Sequence, residues 1–159
     1  MYIKWDEVVY PQKIKMLIGE YTHTVDDKKR ISLPSKFRKE MGKKIVVTQG
    51  LDNCLFMYPI SEWKKISEKI SSLGMGQSDT RGFARFMLAG AVEIDVDSLG
   101  RILIPDFLRS FADLSSRVVF AGVVNRIEIW NEKKWSDYKN RIQKNAGEMA
   151  EKLGDIGMI

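Results

Sequence analysis

Hydrophobic and polar positions alternate along two short stretches, GEYTHTV and GAVEIDV, and this period of two predicts half-buried strands. Each stretch runs into a turn, DDKK or DSLG, whose leading aspartate is placed to accept hydrogen bonds from backbone N–H groups downstream. RISL and RILI resume extended structure. Pro34 and Pro105 come next, where the first turn of a helix tolerates a missing N–H, so SKFRKEM and DFLRSFA are expected to be short helices. KIVVT and RVVFA are apolar, β-branched strands, and turns at Asn53 and Asn125 lead into hairpin partners LFMY and IEIW. Ser61 and Asn131 are expected to cap closing helices, with stripes of Trp63, Ile66, Ile70 and Leu73 in the first and Trp135, Tyr138 and Ile142 in the second. Between them DTRGFARFML reads as a short helix capped by Asp79, packing Phe83, Phe86 and Met87. From about Gln143 the chain is polar and interrupted by glycines, and a frayed tail is expected.

The same order of elements occurs twice because the sequence itself does. A shift of 71 positions lays Leu17 on Leu88, Gly19 on Gly90, Asp26 on Asp97 and Arg30 on Arg101. It also lays Ile31 on Ile102, Pro34 on Pro105 and Arg38 on Arg109; Val46 meets Val119 at a shift of 73, and Asn53, Trp63 and Ile70 meet Asn125, Trp135 and Ile142 at 72. A doubled D-x-x-x-R-I-x-x-P-x-x-x-R in 159 residues establishes a tandem duplication. The repeats are placed at 20–62 and 91–134, with connecting helices at 63–90 and a C-terminal helix and tail at 135–159. A unit of ~45 residues cannot bury enough surface to offset its chain entropy. The two copies are therefore expected to share a core, as an α+β fold with pseudo-twofold symmetry and flanking helices. The helical apolar faces add an expectation of self-association.

Composition narrows the function. Hydrophobic residues make up 44 %, which supports a packed core, and no apolar run approaches the ~20 residues of a membrane span. The lone cysteine, Cys54, forms no intramolecular disulfide and fits a reducing, cytosolic setting. Residues 1–15 differ in pattern from the rest of the chain, and Met16 opens the first regular segment. The expectation is a mis-called leader or floppy arm, with translation starting at Met16; a native peptide from 1–15 would refute it. His23 and Cys54 are the sole histidine and cysteine and lie in different segments, so the zinc ligand sets built from these residues are missing. His23 reads as an ordinary strand residue and Cys54 as a small core residue. With neither a Gly-rich phosphate loop nor a nucleophile elbow, no enzyme, cofactor or small-molecule substrate is expected.

Charge is the informative feature. The whole chain carries +5. Lys28 to Lys44 holds eight basic residues (Lys28, Lys29, Arg30, Lys36, Arg38, Lys39, Lys43 and Lys44) against Glu40, a net +7. In the second copy, Leu99 to Ser115 sets Arg101 and Arg109 against Asp106 and Asp113, a net of zero. A solvated helix face accounts for Lys36, Lys39 and Lys43. Lys28, Lys29 and Arg30, at a hairpin tip, suit a major groove, with lysines on phosphates and arginine on guanine. The alternative for the repeated Asp-to-Arg spacing is an internal ion pair across the turn, stronger for Arg101 in its neutral surroundings than for Arg30. Arg81 and Arg85, one helical turn apart, read as a solvated or interface face.

The strings YTHTVDDKKRISLPSKFR, LFMYPISEW and GAVEIDVDSLGRILIPDFLR closely resemble the MraZ family of bacterial transcriptional regulators, over roughly Met16 to Arg141. The resemblance implies two SpoVT-AbrB-type repeats in a swapped-hairpin, β-barrel-like core. It further implies a closed homo-oligomeric ring, octamer or dodecamer, and binding to short direct repeats of double-stranded DNA upstream of the family's own division and cell-wall operon. It implies a cytoplasmic, nucleoid-associated protein in which Arg30 is essential for DNA binding and Lys28 matches the family lysine; the charge pattern adds Lys29, Lys36 and Arg38 as expected phosphate contacts. Asp26, Asp97, Gly100 and Arg101 form the turn motif. The family turn reads D-x-K-G-R, which DSLGR keeps through Gly100, whereas the first copy has Lys29 at the glycine position. If that position is left-handed, a side chain there costs roughly 1 kcal/mol. The rival expectation is an interaction module of the same fold whose basic face meets RNA or an acidic protein.

Overall fold

The computed structural model describes residues 16–159; the expectation about residues 1–15 lies outside them. Eight strands form: β1 (Leu17–Thr24), β2 (Arg30–Ser32), β3 (Lys44–Gln49), β4 (Leu55–Pro59), β5 (Val92–Asp95), β6 (Arg101–Leu103), β7 (Arg117–Val124) and β8 (Ile127–Asn131). The helices are α1 (Ser35–Met41), α2 (Ile60–Ser71), α3 (Ser78–Ala84), α4 (Asp106–Phe111) and α5 (Glu132–Asp155).

The strands of the two copies interleave. Six make one antiparallel sheet in the order β1-β7-β8-β4-β3-β5, and β2 pairs with β6 in a separate ribbon. The first strand of each copy thus pairs with the third strand of the other, β1 with β7 and β5 with β3. The central pairs Ile31–Ile102 of the ribbon and Phe56–Glu128 of the sheet link equivalent positions of the two copies, which marks the pseudo-twofold axis. Neither copy closes its own sheet.

Alternation along the strands gives the sheet two apolar faces. One face carries Ile45, Val47, Leu55, Met57, Val118, Phe120, Ile127 and Ile129. Against it pack the ribbon's Ile31 and Ile102, Phe37 of α1 and Leu108 of α4, so both copies contribute to one core. The other face carries Cys54, Phe56, Tyr58, Val119 and Trp130, covered by Ile70 and Trp63 of α2, Met87, and Trp135 and Tyr138 of α5. Glu128 lies on this second face, paired with Arg126 at 2.9 Å, while the Arg126 guanidinium stacks 4.4 Å from the Phe56 ring centre.

Several helix details differ from the sequence expectations. Asn131 does cap α5, accepting from the Lys134 N–H. Ser61 does not cap α2, because β4 turns directly into the helix and Pro59 occupies the cap position. Asp79 is not a cap either: α3 begins at Ser78 after Gln77, which puts Asp79 in the first turn, where its carboxylate faces the positive helix end. The segment then widens into a π-helical turn at Arg85–Ala89. The buried Thr48 hydroxyl donates to the Met87 carbonyl there at 2.6 Å. Phe83 is exposed, whereas Met87 is buried and Phe86 packs edge-on against Phe111. The frayed tail is likewise corrected. α5 runs on to Asp155, since most residues from Gln143 to Leu153 are strong helix formers and their summed propensity outweighs one internal glycine.

Candidate nucleic-acid interface

The first-copy turn is built by Asp26. Its Oδ1 accepts from the backbone N–H groups of Lys28 and Arg30 at 2.9 and 2.8 Å, and its Oδ2 accepts from Arg30 Nε at 2.8 Å. The second copy repeats this arrangement. Asp97 Oδ1 accepts from Leu99 and Arg101 N–H at 2.9 and 2.8 Å, and Oδ2 from Arg101 Nε at 2.7 Å. In both, the Arg30 or Arg101 backbone N–H is the main cause that holds the carboxyl below the ordinary aspartate range, with the guanidinium adding to it. The internal ion pair weighed for these spacings is therefore made in both copies, by Arg30 as fully as by Arg101. D-x-x-x-R is a local device, a carboxylate bracketing the turn that it opens.

The two turns also share a backbone conformation. Lys29 has φ +66° and Gly100 φ +78°, so the glycine position does require the left-handed region and Lys29 occupies it with a side chain. The surroundings differ more. Lys28 and Lys29 are exposed at the tip, as are Lys36 and Lys39 on the outer face of α1. Lys43 is exposed just before β3, and Lys44 lies 3.5 Å from Glu93 and 3.8 Å from Asp95 of β5, which neutralises part of the basic cluster. Arg38 donates from Nε to the Leu33 carbonyl at 2.9 Å and packs against Gly100, while the Leu33 N–H donates to the Gly100 carbonyl at 2.8 Å. Its guanidinium thus braces the second-copy turn, a role that the one-dimensional charge count does not reveal.

The remaining chemistry-bearing residues have structural places. The His23 ring sits edge-on to Phe120, and partial burial followed by the Arg38 charge lowers its pKa. Cys54 is fully buried, and burial pushes its thiol pKa up. Among the described residues no cluster of His, Cys, Asp or Glu could hold a metal ion, and no helix is long and apolar enough to cross a membrane.

A family model described as "MraZ protein, putative antitoxin-like" matches residues 16–86 and again 87–154, one match for each copy of the duplication. The chain belongs to the MraZ family. A relative named Transcriptional regulator MraZ from Thermoanaerobacter sp. (strain X514) is 48 % identical over 143 residues, 90 % of this chain and 100 % of the relative. Relatives of the same name from Caldanaerobacter subterraneus subsp. tengcongensis and Clostridium tetani are 48 % and 46 % identical with the same coverage. The doubled MraZ match and the interleaved strands describe one object, a tandem repeat whose halves exchange strands.

One important residue escapes the sequence reading. Arg109, the counterpart of Arg38, lies on α4 beside the first-copy turn, where it lines an open groove with Val25, Lys29 and Asp106. Its signal in the sequence is the pair of mismatches between copies, Lys29 for Gly100 and Ser35 for Asp106.

Proposed function

We propose that this MraZ-family protein is a DNA-binding transcriptional regulator that acts on short direct repeats upstream of its own division and cell-wall operon. The carrying observation is the contrast between two turns with the same backbone and the same Asp–Arg bracket, of which only the first is surrounded by exposed lysines. A shared bracket marks a shared structural role, and the charge difference is what remains to be explained. Exposed lysines at a hairpin tip neutralise phosphates and release counterions. Arg30 is committed to Asp26 through Nε, so guanine would be read by its two Nη groups, held in place by that ion pair. Lys28, Lys29 and Lys36 supply phosphate contacts, and Arg38 acts chiefly as the brace of the second turn.

The interleaved sheet supports a core of the swapped-hairpin, barrel-like type, with repeats at about 20–62 and 91–134. A homo-oligomeric ring in the cytoplasm, octameric or dodecameric and associated with the nucleoid, would present many such turns. Weak single contacts to successive direct repeats would then multiply through effective concentration. Fluorescence anisotropy on a duplex from upstream of the gene, with a random duplex and an RNA of equal length as competitors, tests this. Arg30→Ala should abolish the preference for the upstream duplex while Arg101→Ala leaves it. Equal preference in wild type and Arg30→Ala would refute the assignment, and stronger competition by RNA would point to the rival class of partner.

A further inference from the structure

Duplication offers an internal control, because each turn faces the arginine of the opposite copy. At the second-copy turn Gly100 has no Cβ, and Arg38 occupies that space: a Cβ built on Gly100 would come within 2.6 Å of Arg38 Cζ and 2.8 Å of Cδ. At the first-copy turn the equivalent position is Lys29, which has the same left-handed backbone and carries a Cβ. The equivalent arginine, Arg109, takes a different course. It pairs with Asp106, a residue whose first-copy counterpart is Ser35, and its Nη1 is buried without a hydrogen-bond partner. Its side chain retains 15 % exposure, so it has not escaped to solvent but stays packed in the groove that Lys29 also lines.

We infer that Arg109 is a positioning residue for the Lys28–Arg30 turn, and that Lys29 gives it this role by excluding it from the seat that Arg38 takes beneath Gly100. A displaced guanidinium beside Lys29 acts on the turn through packing: it walls one side of the groove under the turn and so sets the tilt of the hairpin tip. The copy that lacks the glycine is thereby the copy equipped to present its turn. The consequence for recognition rests on the DNA-binding function proposed for this turn; the displacement of Arg109 does not.

Two measurements decide it. A hydrogen-bond coupling should join the Arg38 Nε–H to the Leu33 carbonyl in wild type, and the Arg109 Nε–H should show no such coupling to a backbone carbonyl. In Lys29→Gly, Arg109 should reseat and its Nε–H should gain a coupling like that of Arg38. An unchanged Arg109 signal would overturn the displacement. For DNA, Arg109→Ala should lower the preference for the upstream duplex over a random one roughly three- to ten-fold, the size expected for residues coupled through contact. Arg109→Lys, which keeps the charge but loses the planar fork, should not restore it. The salt dependence of binding should stay the same in both variants. A salt slope smaller by about one would make Arg109 a phosphate contact instead, and an unchanged preference would deny it any role; both overturn the proposal. If wild type itself prefers no duplex, the DNA-binding reading fails, and the Nε–H measurement still decides where Arg109 sits.

Discussion

Replacing Gly100 by alanine adds one methyl group at the buried position of an otherwise exposed turn, and its cost should exceed that of an ordinary surface change. Gly100 holds φ +78°, which for an L-residue costs about 1 kcal/mol after allowing for the smaller entropy of the unfolded alanine chain. The new Cβ also meets the far end of the Arg38 side chain. A flexible side chain moves aside cheaply, so the steric clash itself contributes little. What is lost is the 2.9 Å bond from Arg38 Nε to the Leu33 carbonyl, worth about 1 kcal/mol net. The total of about 2 kcal/mol corresponds to a fall in Tm of roughly 4 to 8 °C for a chain of this size. Thermal and urea unfolding followed by circular dichroism, at fixed protein concentration because assembly shifts apparent stability, would measure it. The decisive comparison is the same substitution in an Arg38→Ala background, where only the conformational cost of about 1 kcal/mol should remain. Equal costs in the two backgrounds would show that Arg38 does not occupy the space left by Gly100, and would remove the basis for contrasting it with Arg109.

The same structure makes three further outcomes testable. Asn131→Ala removes a cap accepting from Lys134 N–H and a bond donated to the Asp113 carbonyl, and should cost about 1 kcal/mol, whereas Ser61→Ala should be nearly neutral because Pro59 holds the cap position; equal losses by chemical denaturation would contradict the helix boundaries. The pKa of His23 is lowered by burial and by Arg38, so the unfolded chain binds the proton first and stability should fall as pH drops through about 6.5. His23→Gln should flatten that part of the Tm profile. Asp26 and Asp97 are lowered too, and their contribution is present above the ordinary carboxylate range and lost below about pH 4; the protection of the Lys28, Arg30, Leu99 and Arg101 amides, taken relative to the intrinsic exchange rate at each pH, should fall there and hold at pH 6.

The turns were legible in the sequence because their chemistry is local. An aspartate that accepts from the second and fourth residues after it needs only a few consecutive residues, and it appears in both copies where the spacing places it. The repeat, the strands and the left-handed position at Lys29 belong to the same category, since each depends on neighbours in the chain. Strand partners do not. Alternation marks which face of GEYTHTV is buried but is silent on which strand lies beside it, and only the folded chain pairs β1 with β7 and β5 with β3. The π-helical turn opposite Thr48 likewise emerges from packing across the fold rather than from the local pattern. Charge counting fails for the same reason. Lys44 meets Glu93 and Asp95, Arg38 braces the opposite turn and Arg109 is held off the other, because each arginine or lysine acts on residues tens of positions away. The sequence alone determined that two equivalent turns exist and that one is rich in lysine. The tertiary structure decided where the opposite copy's arginine sits at each turn, because that depends on packing between copies and on whether a Cβ stands in the way.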